Sequence, residues 1–237
     1  MSRSTWMPPA VSAESFTWNG EVWRMVESQY IAATMKLVDH RDEQDLLESL
    51  LEAGKPPRPD DTVSLDDLLA TPFRYDPKPG GSRFRSTTDP GVFYGAESVR
   101  TAGAELGYWR WKFLKDAVDL ERIEPVAHTA FRVEIDTSVI DLQRPPFDVD
   151  AALWQHPADY APTQQFAQVV RKANIGGILY RSVRNPSPSW CLALLTPSGF
   201  AKPKPHRERQ TWYLAVSAKE VILRRDKTSM QFSAAGW

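Results

Sequence analysis

What most constrains this chain is the shortness of the apolar runs that fill its second half. Residues 126–135, 138–142, 177–180, 190–195, 212–216 and 221–223 are rich in Val, Ile, Leu and aromatic side chains, and polar or turn-forming residues separate them. Runs of about 4–8 apolar residues make strands, whereas helices need about ten or more. An earlier run, residues 21–26, reads as a short strand with Trp23 and Met25 on the face opposite Arg24. Helical spacing occurs elsewhere. Leu46, Leu47, Leu50 and Leu51 recur at helical intervals over residues 43–53, and Gly54 with the proline-rich 55–59 stops that helix. Ser64 is placed to cap a short helix through Leu69, with Asp66 and Asp67 near its N-terminal dipole. Ser98 opens a long helix to about Lys115 with Ala102, Leu106 and Trp109 on one side. An amphipathic helix over 163–173 carries Phe166, Val169 and Val170 and ends before Gly176 and Gly177.

This order predicts an α+β fold, a mixed central sheet with flanking helices, as one domain over residues 1–237. No internal repeat is visible, and residues 1–12 read as a loose N-terminal tail. A length of 237 residues suffices to bury a core. With the single cysteine Cys191, no disulfide within the chain can staple it. The formal net charge of −1 gives no global field toward nucleic acid or an anionic membrane, so any anion must be held by local arginines. The first ten residues lack a signal-peptide core, and no run approaches the roughly 18 apolar residues of a membrane span. The expected location is the cytoplasm.

Several site types lack their residues. His40, His128, His156 and His206 are scattered without HExxH or paired Cys/His spacing, so no metal site is expected. There is no GxSxG elbow, Walker loop or GxGxxG fingerprint. Cys191 sits in an apolar run and reads as a buried small hydrophobe. The basic stretch 202–207 lacks neighbouring aromatics and reads as a solvated loop. The aromatic share of 11%, with nine Trp, supplies rings for the core or for a site that takes a flat ligand.

A polar constellation remains within residues 80–105. Gly80-Gly81-Ser82-Arg83-Phe84-Arg85 places two arginines on a glycine-rich turn, where backbone can approach a ligand and guanidinium forks can hold phosphate. Tyr94 lies eleven residues after Arg83 and Glu105 eleven residues after Tyr94, inside the long helix. Thr101 and Ala102, both small, stand one turn before Glu105 on its face and leave room for a close ligand. Taken singly, a glutamate such as Glu105 on a long helix is usually a solvated charge, and a tyrosine such as Tyr94 is usually a core aromatic.

The run Gly81-Ser82-Arg83-Phe84, then residues 91–98, Thr101-Ala102 and Glu105, resembles the core signature of the RES domain family. Residues 177–184 followed by 190–194 resemble that family's C-terminal segment, where a strand ends at a serine, and residues 22–26 resemble its opening strand with an arginine. The resemblance spans roughly residues 23–195. It departs at Ser82, where the family often has a second Gly, at Phe84 and Arg85 in place of Trp and Asn, and in an inserted helical segment over 39–72.

The resemblance implies an ADP-ribosyltransferase-like RES fold and a bacterial toxin of a toxin–antitoxin pair. It implies an enzyme that takes NAD as substrate, needs no cofactor, and cleaves the nicotinamide–ribose bond with water or phosphate. Carried over by position, Glu105, Arg83 and Tyr94 form the catalytic set, and Arg24 and Ser182 join Arg83 and Tyr94 in binding substrate. The implied partners are NAD, an antitoxin protein and a second copy of the chain, with no direct nucleic-acid or membrane contact. The residue types suit the reaction. Cleavage develops oxocarbenium character on the ribose, which a carboxylate at Glu105 would stabilise. Arg83 and Arg24 would hold the pyrophosphate, Tyr94 would stack beside nicotinamide or ribose, and Ser182 would hydrogen-bond the ligand. Two alternatives stay open: an ADP-ribosyltransferase acting on a macromolecule, with Glu97 as candidate second carboxylate, and a catalytically idle binding module.

Overall fold

The computed structural model describes residues 6–28, 40–77 and 79–237. Its strands are β1 (Phe16–Glu27), β2 (Phe93–Ala96), β3 (Arg122–Asp141), β4 (Gly177–Arg181), β5 (Trp190–Leu194), β6 (Arg209–Ser217), β7 (Glu220–Arg225) and β8 (Thr228–Ser233). The helices are α1 (Pro8–Ala13), α2 (Arg41–Ala53), α3 (Asp67–Arg74), α4 (Val99–Asp116), α5 (Ala151–Trp154) and α6 (Ala161–Lys172).

All eight strands form one mixed sheet in the order β1-β2-β5-β4-β3-β6-β7-β8. Among the described residues, β3 and β4 are the one strand pair that runs parallel. β1 also pairs along β3, from Phe16 opposite Val139 to Glu27 opposite His128. The pairings therefore close on themselves, β1 to β2, β5, β4, β3 and back to β1. β6, β7 and β8 extend the sheet from the first half of β3.

β3 shows why the sequence folds this way. Phe131, Val133 and Ile135 are buried at intervals of two, and Arg132, Glu134 and Asp136 alternate between them. The two strands expected over 126–135 and 138–142 are one continuous strand, because β1 pairs through the Asp136–Thr137 junction without a break. Its one irregularity falls between Ile123 and Val126, where Pro125 cannot donate to the ladder.

The strands bury both faces. Leu192, Leu194, Phe93, Phe131 and Ile135 pack with Leu69 and Phe73 of α3. Cys191, Ala193, Ala96, Ile178 and Tyr180 face the other way, toward Ala102 and Ala104 of α4 and Phe166 and Val170 of α6. Each fully buried Phe, Leu or Ile contributes about 1.5–3 kcal/mol.

Other differences from the sequence expectations have local causes. The N-terminal tail is not loose from Pro8 onward. Residues 8–13 form α1, with proline at the helix start and Val11 fully buried; residues 1–5 lie outside the described residues. The short helix expected from Ser64 starts instead at Asp67, capped by the Asp66 carboxylate, which accepts from Leu68 N–H, and it continues to Arg74. β1 is twice the expected length, and β8 had no apolar run to announce it, since only Met230 and Phe232 are buried. Of the segment 39–72, α2 carries the expected leucines, with Leu46, Leu50 and Leu51 exposed; Asp39 lies outside the described residues. The loop expected at 202–207 is a loop, tied down by Lys202 to Glu134 at 2.6 Å and by the His206 N–H to Arg132 O at 2.9 Å.

Candidate active site

α4 begins where the sequence says. Ser98 is its N-cap, and its side chain accepts from Thr101 N–H. One turn further, Glu105 projects into a cleft of about 210 Å³. Trp23, Arg24, Arg83, Tyr94, Glu105 and Trp109 are among the lining residues. Four of the five residues singled out in the sequence therefore meet at one cavity. The fifth, Ser182, lies behind it and donates from Oγ to Glu105 Oε1 at 2.7 Å.

The glycine turn is built as its sequence requires. Gly80 and Gly81 have φ of 84° and 70°, in the left-handed region that glycine enters freely. A Cβ on Gly81 would lie 2.1 Å from Arg85 O. Ser82 and Arg85 exchange backbone bonds of 2.8 and 3.2 Å, closing the turn. Tyr94 then fastens it to β2: its hydroxyl lies 2.8 Å from Ser82 Oγ and accepts from Phe84 N–H at 3.0 Å. Gln164 Nε2 on α6 donates to Gly80 O and Ser82 O from the other side.

That scaffold aims Arg83 inward, where it is almost wholly buried. Its Nη1 donates to Trp154 O at 2.8 Å and His156 O at 3.0 Å, and its guanidinium lies 4.8 Å from the centre of the Tyr160 ring. Arg24 enters from β1. Its Nη1 donates to Tyr94 O at 2.8 Å, and the guanidinium covers the Phe93 ring. Arg24 Nε is buried without a hydrogen-bond partner, and burial pulls this guanidinium down to about 10.

The electrostatics centre on Glu105. Burial pushes its carboxyl above the usual range, while the Ser182 hydroxyl and the fields of Arg83 and Arg184 act in the opposite sense. Burial likewise raises Tyr94, against its bonds from Ser82 and Phe84. Cys191 Sγ is 3.9 Å from Glu105 Oε1. Burial and the neighbouring carboxylate push its thiol well above the ordinary value, which keeps it protonated and unreactive.

Two residues at the site carried no signal that singled them out in the sequence. Arg184, two positions after Ser182, is buried; it donates to Pro157 O and to Tyr160 Oη, and it lies 3.3 Å from the centre of the Tyr108 ring. Tyr160 lines the cleft between the two buried arginines. Their meeting depends on the fold, because β4 and the start of α6 converge only when the sheet has formed.

No metal-type cluster lies at this cleft among the described residues. His206, Glu21 and Glu134 offer three donor atoms within 4.8 Å of one another elsewhere. Both carboxylates there already hold cations, Arg132 on Glu21 and Lys202 on Glu134.

A family model described as the RES domain matches residues 55–217. The chain belongs to the RES domain family. The matched span begins inside the 39–72 segment and leaves β1, with Arg24, on its N-terminal side. The RES fold is also that of a chain in the crystal structure of the M. tuberculosis MbcT–MbcA toxin–antitoxin complex. The two are 13% identical, with a TM-score of 0.50 over 96% of this chain and 92% of that one. No curated protein matches the sequence. Glu105, Arg83, Tyr94 and Ser182 all lie within the matched RES span. No described helix is long and apolar enough to cross a membrane.

Proposed function

We propose that this RES domain cleaves NAD at its nicotinamide–ribose bond, with water or phosphate as acceptor, and acts as the toxin of a toxin–antitoxin pair. The observation that carries this reading is Glu105, a carboxylate at the cleft, held by Ser182 at 2.7 Å and surrounded by aromatic side chains. At about 210 Å³ the cleft is smaller than the roughly 300–1,000 Å³ of pockets that engulf a drug-sized ligand. It suits the nicotinamide nucleotide end of a dinucleotide, with the adenosine end outside.

In the proposed step the glycosidic C–N bond breaks and its electron pair returns to the pyridinium nitrogen, so nicotinamide leaves neutral and needs no general acid. The anomeric carbon becomes electron-poor, and the Glu105 carboxylate stabilises it. An oxygen of water or phosphate then bonds to that carbon; with water, a proton is released. Arg83 and Arg24 face the anionic side of the substrate. The bonds described above use Nη1 alone of each guanidinium's five N–H donors.

The toxin assignment draws on family membership and on the fold shared with a member of a toxin–antitoxin complex. Among alternatives, transfer to a macromolecule would be favoured by a second carboxylate, but Glu97 does not line the cleft. The test is to incubate the protein with NAD, with and without phosphate, and to follow free nicotinamide. Release that is abolished in Glu105→Gln supports the reading, and its phosphate dependence names the acceptor. A folded protein that releases none overturns it.

A further inference from the structure

The Glu105–Ser182 pair joins two elements, α4 and the loop after β4. A side chain outside the family-matched span touches both. Trp237 Nε1 donates to Arg184 O at 3.0 Å, on the Ser182 loop. The same indole packs on α4: its ring is 5.9 Å from Tyr108, edge to face, and 5.9 Å from Trp111. Gly107 lies beneath the indole, and a Cβ there would crowd Val221 of β7 at 3.0 Å while only touching the Trp237 ring at 3.4 Å. Phe232 of β8 supports the indole from behind.

We infer that Trp237 is a positioning residue, a brace that holds the Ser182 loop against the Glu105 helix. The loop is short and mostly polar, and side chains join it to α4. Arg184 lies over Tyr108, Asn185 Nδ2 donates to Thr101 Oγ1 at 3.1 Å and Ser182 Oγ donates to Glu105, while within the loop Ser182 Oγ accepts from Arg184 N–H and Asn185 N–H. Trp237 adds the bond that fixes the Arg184 backbone, two residues from Ser182. It does not line the cleft, so its influence on a substrate must pass through the pair. This inference rests on the reading of Glu105 as the working carboxylate.

The test compares Trp237→Phe, which keeps an aromatic ring but removes the N–H, with Trp237→Leu, which removes the ring. In nicotinamide release from NAD, both variants should lower kcat at neutral pH with KM unchanged. The fall for Trp237→Phe is on the order of threefold to tenfold, the size of one lost hydrogen bond. A looser Ser182 bond removes an influence that lowers the Glu105 pKa. The acid limb of the rate profile therefore moves to higher pH, and raising the pH restores much of the lost rate. Mere loss of folded protein would scale the whole profile without moving it.

A second arm needs no turnover. The melting-temperature difference between Glu105→Gln and its parent, followed against pH, reports the ionisation of Glu105. In the Trp237→Phe background that curve should shift to higher pH. An unmoved rate profile and an unmoved melting curve in both variants would overturn the brace. A parent protein that releases no nicotinamide would defeat the NAD reading, and the melting arm would still decide the brace.

Discussion

Ser182 and Glu105, 77 residues apart in sequence, share a 2.7 Å hydrogen bond in which the hydroxyl donates to Oε1 of a half-buried carboxylate. The bond sets both the aim of Glu105 and its charge. Bonds to a charged group are worth about 1.5–3 kcal/mol, so Ser182→Ala should lower nicotinamide release by about 10-fold to 150-fold at neutral pH. Loss of the donor also raises the Glu105 pKa further. A pH series on Ser182→Ala should thus show partial recovery of rate at alkaline pH.

Ionisation of Glu105 opposes folding. Its folded pKa is raised by burial, so the folded state favours the protonated form, a contribution fully present below the unfolded pKa and lost as pH rises through the folded one. Glu105→Gln escapes that loss. Thermal melts should show the variant and parent alike in acid, with the variant gaining over the parent as pH rises from about 4 toward neutrality. A gain that is constant with pH would contradict the assignment.

Gly81 should tolerate no side chain. Its φ of 70° and the 2.1 Å clash of a Cβ with Arg85 O act together, and the turn it forms carries Arg83. Gly81→Ala should cost about 1–3 kcal/mol in urea denaturation and weaken NAD turnover at the same time. Gly80→Ala should cost less, since nothing lies within 4 Å of a Cβ there.

Trp109 lines the cleft one turn after Glu105, yet it is 42% exposed. Its ring is available to a flat substrate and contributes little to the core. Trp109→Ala should raise KM for NAD about fivefold to thirtyfold, about 1–2 kcal/mol of ring contact, with kcat and melting temperature nearly unchanged. A fall in kcat at constant KM would move Trp109 into the chemistry instead.

How much of this was legible beforehand follows the range of the forces involved. The Ser98 cap, the α4 helix and the glycine turn were readable because caps and positive-φ turns are decided within a few residues. The apolar run over 126–135 announces a strand, but not that it runs unbroken from Arg122 to Asp141, because β1 across the ladder settles that. The clustering of Arg24, Arg83, Tyr94 and Glu105 was reached through family resemblance rather than local pattern. Tyr160 and Arg184 escaped notice, since an aromatic before a helix and an arginine after a strand are commonplace. Only closure of the sheet brings them beside Glu105.

The closed circuit of strands has one weak joint. β1 and β2 meet at a single register pair, Trp23 with Ala96, and both residues line the cleft, while β1 is laced to β3 along its whole length. Opening fluctuations concentrate where backbone bonds are fewest. The circuit is therefore a clasp whose catch lies beside Glu105, and its Trp23 and Ala96 amides should exchange with solvent ahead of the rest of the ring.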